Sequence, residues 1–515
     1  MNNSNINSII FCLMNKMRKT IEHINEKIRN GEVVVVRADE MPDIFDENPE
    51  RAVREVDIVT TGTFGTMCSS GIFMNFGHSD PPIKMQKVWL NDVEAYTGIA
   101  AVDAYLGAAQ LSEDKGFEYG GGHVIEDLVS GREINLRAIS YGTDCYPRKK
   151  LNTTITIEDL NQAMMFNPRN SYQRYNAATN STSEVIHTYM GTLLPGMRNV
   201  NFAGSGELNP LINDPDYRTI GLGTRIFLCG AQGYVAGEGT QHSPKTGFGT
   251  ISVIGNLKEM DPEFLKAAVI QNYGTSLFVG IGIPIPILDE EIARNTAIRN
   301  EDIEVDILDY GVRRRDRPII KRVKFEELLS GRIEINGRKV KTSPLSSIKK
   351  SIEIAEKLKE LILEKEFFLS KCVENLPRDT EFKEMRMIER IPRVKDIMTR
   401  NVITAKEDDS IDFVSNLLVK NQIDQIPIVN NEGKLVGIIT SWDITNAIAR
   451  RRKRLRDIMT RNVIVSKPDE YIDVVARRLD KYNINATPVV DDKYNVIGII
   501  STADLIRRDI EVGKR

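Results

Sequence analysis

The sequence predicts a protein of two parts: a first domain that mixes helices and strands, then a pair of small repeated units. An eight-residue string, DIMTRNVI, occupies Asp396–Ile403 and returns at Asp457–Ile464, 61 positions later. Before it, β-branched runs and amphipathic stretches follow one another without regular alternation, which predicts an α/β or α+β fold and leaves its topology open. At 515 residues the chain is too long for one ordinary core, so two or three domains are expected.

Composition narrows the class of protein. Apolar residues make up 41% and charged residues 27%, as in globular proteins, and the net charge of −3 favours neither acidic nor basic partners. No apolar run approaches the ~18 residues of a membrane span. The apolar stretch 9–14 precedes its basic residues, the wrong order for a secretory signal. Five widely spaced cysteines favour reduced thiols. We therefore expect a cytoplasmic protein without membrane contact, and we treat residues 1–16 as an N-terminal extension, with Met14 or Met17 as alternative starts.

Local patterns predict the elements of the first domain, residues 17–372. Isoleucines at spacings of three and four predict a helix over 17–31 that ends at Gly31. A longer apolar stripe predicts a second helix over Ser346–Cys372, and the polar stretch Asn167–Asn180 is interpreted as an ordered loop or lid. Apolar and β-branched runs predict strands, the last of them at an edge or partly irregular because of its two prolines: Val33–Arg37, Asp57–Thr61, Glu133–Gly142, Thr219–Cys229 and Leu277–Leu288.

The repeated unit occupies residues 393–449 and 454–510, after a charged linker over 373–392. The two copies keep one register, since Pro427 corresponds to Pro488 and Asp443 corresponds to Asp504. A fixed period of this kind indicates two copies of one supersecondary unit. The repeat contains no histidine and no cysteine. Because nucleophilic and proton-transfer chemistry draws heavily on those residue types, we expect catalysis in the first domain.

Each copy resembles a CBS domain, a βαββα regulatory module, in its DIMT opening, its IPIV-like strand and its closing GII[TS]-x-x-D. The resemblance implies a tandem pair packed through its sheets, clefts that bind adenosyl ligands, and a homodimer formed through the CBS domains. It also implies a set of ligand-binding residues, the aspartates for a ribose and the hydroxyls for the rest of the ligand: Thr440, Asp443, Ser501, Thr502 and Asp504. The alternative is that the clefts are empty and the module only dimerises. The basic run 450–454 is interpreted as a solvated face rather than a nucleic-acid contact.

Two glycine-containing loops, 62–71 and 140–148, each place a cysteine among small or polar residues after a predicted strand. Glycine lets a ligand approach the backbone closely, and consecutive N–H groups there can hold an anion. Arg148 would favour the thiolate of Cys145, whereas the acidic residue beside this cysteine would oppose it. The alternative is that Cys145 and Cys68 are buried structural thiols.

Taken in order, six segments of the first domain resemble the homocysteine-biosynthesis family of anaerobes, the L-aspartate semialdehyde sulfurtransferases: 31–41, Thr60–Gly71, Gly120–Asp127, Gly142–Pro147, 204–210 and 237–242. The resemblance covers about residues 17–370. It implies that sulfur enters L-aspartate semialdehyde to give L-homocysteine. Cys145 falls at the family's persulfide position, and Cys68 falls at a second cysteine, a candidate resolving thiol.

This chemistry needs a reductant, because an aldehyde and sulfide give a thiol and water only when two electrons are added. The chain has no Cys-x-x-Cys motif, so an iron–sulfur centre must come from a partner, and the resemblance implies a small ferredoxin-like protein. We expect His123 or His78 as acid–base, with a structural hydrogen bond as the alternative for each. Arg148 or Arg169 is expected to bind the substrate carboxylate. Neither a metal site nor a tightly bound cofactor is expected.

The CBS ligand is inferred from the product. Homocysteine leads to methionine and then to S-adenosylmethionine, so we expect S-adenosylmethionine or methylthioadenosine there, ahead of AMP or ATP. Two other hypotheses stay open: a non-enzymatic adenosyl-ligand sensor, and a persulfide sulfurtransferase with a different acceptor. The immediate sulfur donor, sulfide or another compound, is also open.

Overall fold

The computed structural model describes residues 19–98, 103–314, 316–380 and 392–506. The predicted N-terminal extension, residues 1–16, and residues 381–391 of the predicted linker lie outside the described residues. The chain divides into two units, Met1–Lys383 and Glu384–Arg515.

The first unit mixes short helices with many strands. Its helices are α1 Ile21–Asn30, α2 Met41–Glu47, α3 Pro49–Glu55, α4 Gly121–Val129, α5 Pro210–Asn213, α6 Glu290–Asn295, α7 Phe325–Leu329 and α8 Ile348–Leu363. Its strands are β1 Val35–Arg37, β2 Ile58–Thr60, β3 Thr63–Thr66, β4 Gly71–Phe76, β5 Lys87–Leu90, β6 Val93–Ala95, β7 Ala104–Gly107, β8 Leu111–Ser112, β9 Gly116–Gly120, β10 Ile134–Ile139, β11 Lys150–Ile155, β12 Leu160–Asn170, β13 Ala177–Thr179, β14 Ile186–Thr188, β15 Gly191–Leu193, β16 Asn199–Phe202, β17 Gly221–Leu222, β18 Arg225–Leu228, β19 Ala231–Glu238, β20 Ile251–Asn256, β21 Leu265–Ile270, β22 Gly274–Gly282, β23 Pro284–Pro286, β24 Glu304–Asp309, β25 Ile319–Lys324, β26 Arg332–Ile335, β27 Arg338–Pro344 and β28 Glu374–Asn375.

Three larger sheets organise these strands within the described residues. A nine-stranded sheet has the order β21-β22-β18-β19-β20-β12-β4-β7, with β3 paired to β22. A six-stranded sheet, β11-β10-β5-β6-β8-β9, is antiparallel. Another, β25-β24-β13-β16-β27-β26, is mixed, because β13–β24 and β16–β27 run parallel. The predicted mixed fold class is confirmed.

Several predicted elements are confirmed and others are corrected. Helix α1 is capped by Thr20, which accepts from the amide of His23, and it ends at Gly31 with a φ of 75°. The predicted edge strand is two strands, of which β23 lies at the edge of a three-stranded sheet with β1 and β2. Helix α8 is shorter than predicted and ends at Leu363. The chain after α8 is not helical and lies beside β18, because the amide of Arg225 donates to Ser370 Oγ at 2.7 Å.

The polar stretch Asn167–Asn180, predicted as an ordered loop or lid, is a loop over 171–176, and its ends belong to β12 and β13. Asn167, Asn170 and Asn180 are fully buried. Their side chains hydrogen-bond local backbone and side chains, and Asn170 also lines a cavity. Asn180, for example, donates to the carbonyls of Glu184 and Leu193 at 2.7 and 3.2 Å.

The second unit contains two similar halves. Its helices are α9 Val394–Ile397, α10 Ile411–Asn421, α11 Ser441–Ala449 and α12 Ile472–Tyr482, and its strands are β29 Ala405–Lys406, β30 Gln425–Val429, β31 Leu435–Thr440, β32 Ala486–Val490 and β33 Val496–Ser501. The opening segment of each copy lies against the other copy, because Thr399 bridges to Ile499 and Thr460 bridges to Ile438. The repeated glycine allows this exchange: a Cβ on Gly498 would lie 2.5 Å from Met398 Sδ.

Candidate functional site

A cavity of about 700 Å³ lies between the nine-stranded sheet and the mixed sheet of the first unit. Strand β3, the segment after β12 and the end of β24 supply its walls. Within the described residues, its charged lining residues are Arg169, Arg174, Arg317 and Asp306, and no histidine lines it. Cys68 is the cysteine in its wall. The cavity is therefore polar and carries more arginine than carboxylate.

Cys68 lies between β3 and β4, beside the C-terminal end of β12. The next residue fixes this position, because Ser69 Oγ donates to Asn167 Oδ1 at 3.2 Å and contacts the carbonyl oxygen of Arg169 at 3.5 Å. Burial raises the pKa of the Cys68 thiol above its ordinary value, and the positive charge of Arg169 partly opposes that rise. Cys68 is thus a mostly protonated thiol beside a guanidinium group.

Arg169 has a buried guanidinium nitrogen, Nε, without a hydrogen-bond partner in the described part of the chain. Its Nη1 donates to Gln241 Oε1, and its guanidinium carbon lies 5.9 Å from the ring centroid of Tyr172. A hydrogen bond and the charge of Arg169 lower the pKa of Tyr172, but burial outweighs them and raises it. Because guanidinium groups bind carboxylates bidentately, Arg169 can hold an acidic ligand beside Cys68.

Unpartnered polar atoms concentrate around this cavity. Burying such a group without a partner costs roughly 1–3 kcal/mol, so a cluster of them indicates a site that a polar ligand or ordered water fills. The lining residues with such atoms, counted over the described residues, are Thr63 (Oγ1), Arg169 (Nε), Asn170 (Nδ2), Ser171 (Oγ), Ser205 (Oγ), Ser276 (Oγ) and Arg317 (Nε).

Tyrosines form much of the remaining wall. Tyr189 and Tyr310 share a hydrogen bond of 2.8 Å between their hydroxyl oxygens, and the rings of Tyr172 and Tyr175 lie 4.8 Å apart. Burial raises the pKa of Tyr172 and of Tyr273, both of which line the cavity. The cavity therefore contains protonated hydroxyls near Cys68. The sequence patterns did not indicate them; the nearest signal was the tyrosine- and asparagine-rich stretch after β12.

Cys145 is not in the cavity wall. It is an exposed thiol in the loop that joins the antiparallel strands β10 and β11. Thr143 and Tyr146 close a turn around it, with reciprocal backbone hydrogen bonds of 2.9 and 3.1 Å. Arg148 binds the segment after β4, because its Nε donates to the carbonyl of Pro81 at 2.9 Å and its Nη2 donates to the carbonyl of Asp80.

The two candidate histidines occupy different places. The ring centroid of His78 lies 6.1 Å from that of Tyr146, on the Cys145 side. His123 is in the first turn of α4, where its Nδ1 accepts from the amide of Gly120 at 3.2 Å. Burial lowers the pKa of His123, which favours its neutral form. Its contacts are those of a residue that stabilises the helix start.

The second unit presents the same local geometry in both copies. Thr440 Oγ1 donates to Asp443 Oδ2 at 2.7 Å, and the amide of Thr440 donates to the same oxygen at 2.8 Å. Ser501 and Asp504 repeat this arrangement at 2.7 and 2.9 Å. In the described residues these bonds use Oδ2 of each aspartate, so Oδ1 can accept from a ligand hydroxyl. Thr502 follows as an exposed residue.

The described residues contain neither a metal-binding cluster nor a membrane-spanning helix. No group of three or more histidine, cysteine, aspartate or glutamate side chains is arranged to hold a metal ion there. No helix in that part of the chain is long and apolar enough to cross a membrane.

Comparisons with known proteins cover nearly the whole chain. A family described as "Homocysteine biosynthesis enzyme, sulfur-incorporation" matches residues 33–369, and the CBS domain family matches 394–450 and 455–511. An L-aspartate semialdehyde sulfurtransferase of Methanosarcina acetivorans is 52% identical over 491 residues, 95% of this chain and 98% of that protein. Another, from Methanocaldococcus jannaschii, is 54% identical over 505 residues, with the same shares. The solved CBS domain pair of protein MJ0100, in complex with 5′-methylthioadenosine and S-adenosyl-L-methionine, is 47% identical, covers 24% of this chain and 100% of that chain, and has a TM-score of 0.23.

Proposed function

The chain belongs to the homocysteine-biosynthesis family and is an L-aspartate semialdehyde sulfurtransferase, and from that premise we propose that Cys145 carries the sulfur while the cavity at Cys68 receives the aldehyde. The observation that carries this proposal is the contrast between the two thiols. Cys145 is exposed, so a sulfur donor can reach it. Cys68 lies in a polar cavity with unpartnered hydrogen-bonding groups, which suits a small charged substrate.

The steps balance with sulfide as the donor. Sulfide attacks the Cys145 sulfur of a Cys145–Cys68 disulfide, which gives a Cys145 persulfide and the Cys68 thiol. The outer persulfide sulfur adds to the aldehyde carbon and forms Cys145–S–S–CH(OH)–R. The thiolate of Cys68 then attacks the Cys145 sulfur, restores the disulfide and releases HS–CH(OH)–R, which loses water to become the thioaldehyde R–CH=S. Two electrons and two protons convert the thioaldehyde to homocysteine, and a ferredoxin-like iron–sulfur partner supplies the electrons.

Arg169 is the better of the two candidate arginines for the substrate carboxylate. It lines the cavity and has a buried nitrogen without a protein partner among the described residues. Arg148 instead binds backbone carbonyls beside the Cys145 loop. For the proton that converts the aldehyde oxygen to water, Tyr172 and Tyr273 are the donors on the cavity side, because burial keeps their hydroxyls protonated. His78 accompanies the Cys145 loop and is the donor on that side.

Sulfur loading tests the proposal. Anaerobically purified protein is mildly oxidised and then exposed to sulfide. The masses of its peptides are measured by mass spectrometry for the wild type, for Cys145→Ala and for the control Cys372→Ala. We expect one added sulfur on the Cys145 peptide of the wild type and of the control. Loading that persists in Cys145→Ala would overturn the assignment. Absence of sulfur together with absence of homocysteine formation would favour the sensor hypothesis, and loading without homocysteine would favour another acceptor.

For the second unit we propose that an adenosyl ligand, S-adenosylmethionine or methylthioadenosine, binds at Asp443 and Asp504 and regulates the reaction. The repeated geometry supports this, since each aspartate keeps one oxygen for a ribose hydroxyl. Regulation requires that the ligand bind two arrangements of the protein with different affinity.

Calorimetry and kinetics test this regulation. Asp443→Asn and Asp504→Asn should each weaken S-adenosylmethionine binding at one cleft, whereas the exposed control Asp408→Asn should bind like the wild type. Sulfur transfer should change at saturating ligand. An unchanged rate with the ligand shown to be bound would remove regulation, and unaltered binding in both variants would remove these two residues from the site.

A further inference from the structure

The two thiols of the reaction lie at opposite ends of β4. Cys68 precedes this strand, and the loop of Cys145 contacts the segment that follows it: the amide of Arg148 donates to the carbonyl of Pro82 at 3.3 Å. At the far end of the strand, Asn161 Nδ2 contacts the carbonyl oxygen of Phe76 at 3.3 Å. Because β4 has six residues, it spans roughly 17 Å at about 3.4 Å per residue. Tyr146, the neighbour of Cys145, has its ring centroid 6.1 Å from that of His78, just beyond the end of this strand. Within one chain the two cysteines are therefore separated by about the length of β4, so a sulfur–sulfur bond of about 2 Å requires the Cys145 loop to move.

The loop of Cys145, residues 140–149, is held where it is. The amide of Ser140 donates to the carbonyl of Lys149 at 2.9 Å, and Ile139 pairs with Lys150 at the start of β11. The contacts of Arg148 with Asp80 and Pro81 tie the loop to the segment after β4. A swing toward the cavity of the same chain would break these bonds together. The loop is instead a fixed projection, at the edge of its sheet, because β11 is the terminal strand.

The cavity is larger and more positive than its small substrate requires. Pockets of roughly 300–1,000 Å³ hold ligands of drug size, and this one has about 700 Å³. Among the described residues that line it, three arginines face a single carboxylate, that of Asp306. Arg174 and Arg322 already hold this carboxylate at 3.1 and 2.6 Å. At the tip of the Cys145 loop, Asp144 is exposed and brings a complementary charge, whereas Arg148 and Lys149 lie at the base of the loop, next to the start of β11.

We propose that the Cys145 loop of one chain enters the Cys68 cavity of a second copy, so that each active site is built from two chains. This inference rests on the proposed function, since it uses the same persulfide and the same Cys145–Cys68 disulfide. The disulfide then joins two chains, and the steps keep the balance given above. His78 enters with the loop, while Arg169 and the tyrosines belong to the receiving chain.

Mixed pairs of chains test the arrangement. Cys145→Ser and Cys68→Ser chains with different affinity tags are co-expressed, and pairs that carry both tags are purified. If sites form between chains, such a pair has one complete site of two and should show about half of the wild-type rate, as expected for a two-fold pair. The matched control pairs the wild type with the Cys68→Ser, Cys145→Ser double variant; it has no complete site between chains and should be inactive.

Sites within one chain predict the reverse, with activity in the control pair and none in the mixed pair. That result, or inactivity of both pairs, would overturn the proposal. If either single variant purified alone kept full activity, the proposed function would fail instead, so the two failures are distinguishable.

A second measurement does not depend on variants. Protein expressed with light nitrogen is mixed with protein expressed with heavy nitrogen, and the two are allowed to exchange subunits. The mixture is then mildly oxidised, and its disulfide-linked peptides are analysed by mass spectrometry. We expect Cys68–Cys145 peptide pairs that combine one light and one heavy partner. Pairs made only within one isotope, although the chains have exchanged, would also overturn the proposal.

Discussion

Replacing Arg169 by methionine should weaken substrate binding and suppress the reactivity of Cys68. The guanidinium Nε of Arg169 is buried at the cavity wall and has no hydrogen-bond partner among the described residues. A hydrogen bond to a charged group contributes about 1.5–3 kcal/mol, which corresponds to an increase of about 10- to 100-fold in KM for the aldehyde at 1.4 kcal/mol per tenfold. Arg169→Lys keeps the charge but loses the bidentate geometry, so its KM should lie between those of the wild type and Arg169→Met.

The effect on Cys68 has a definite sign. Arg169 lowers the pKa of this thiol against the larger effect of burial, so its removal raises the pKa further and reduces the thiolate fraction at any pH below it. Alkylation of the Cys68 peptide by iodoacetamide, followed from pH 7 to 10, should shift to higher pH in Arg169→Met and much less in Arg169→Lys. An unchanged KM together with an unshifted profile would refute the assignment of Arg169.

Three further predictions concern residues outside the cavity. Cys229 is fully buried with its pKa raised to about 12, so roughly 10⁻⁴ of it is thiolate at pH 8. It should stay unlabelled in native protein while the exposed thiol of the β10–β11 loop reacts, as peptide mass spectrometry would show. Gly121→Ala places a Cβ 1.9 Å from the carbonyl oxygen of Gly107 and should destabilise by about 1–3 kcal/mol in urea unfolding, unlike Gly77→Ala, whose Cβ meets open space. Asp57 is buried against two lysine ammonium groups at 2.8 and 3.0 Å, so Asp57→Ala should cost roughly 3 kcal/mol; a shift in unfolding midpoint no larger than that of an exposed aspartate variant would contradict it.

The C-terminal unit was predictable because its evidence is local and repeated. Matched prolines and aspartates at a fixed period specify two copies of one unit, and the pairs at Asp443 and Asp504 show the same hydrogen bonds. The exchange of opening segments between copies was not predictable, because it joins Thr399 to Ile499 across the repeat. The sequence of either copy alone contains no pattern that indicates such a contact.

The topology of the first unit depends on pairings between distant residues. Strand β3 pairs with β22, where Thr66 lies opposite Phe278. A pattern of neighbouring residues does not indicate which distant strand a given strand will pair with. The end of α8 was overestimated for a related reason: the helical pattern continues, but Ser370 is held in a tertiary hydrogen bond to β18. The cavity tyrosines were missed because they converge from separate strands and loops, whereas Cys68 and Arg169 stood out through residue type.

The contrast between the two thiols also determines which sulfur atom of the Cys145–Cys68 disulfide is attacked by sulfide. Exchange at a disulfide is governed by access and by the leaving thiol, and a thiol of lower pKa leaves faster. Burial raises the pKa of Cys68, which by itself would make it a poor leaving group. Access nevertheless favours attack on the exposed Cys145 sulfur, and Arg169, whose positive charge lowers the pKa of Cys68, stabilises the departing thiolate. Arg169 therefore serves the persulfide-forming step before the substrate carboxylate arrives, in addition to binding that carboxylate afterwards.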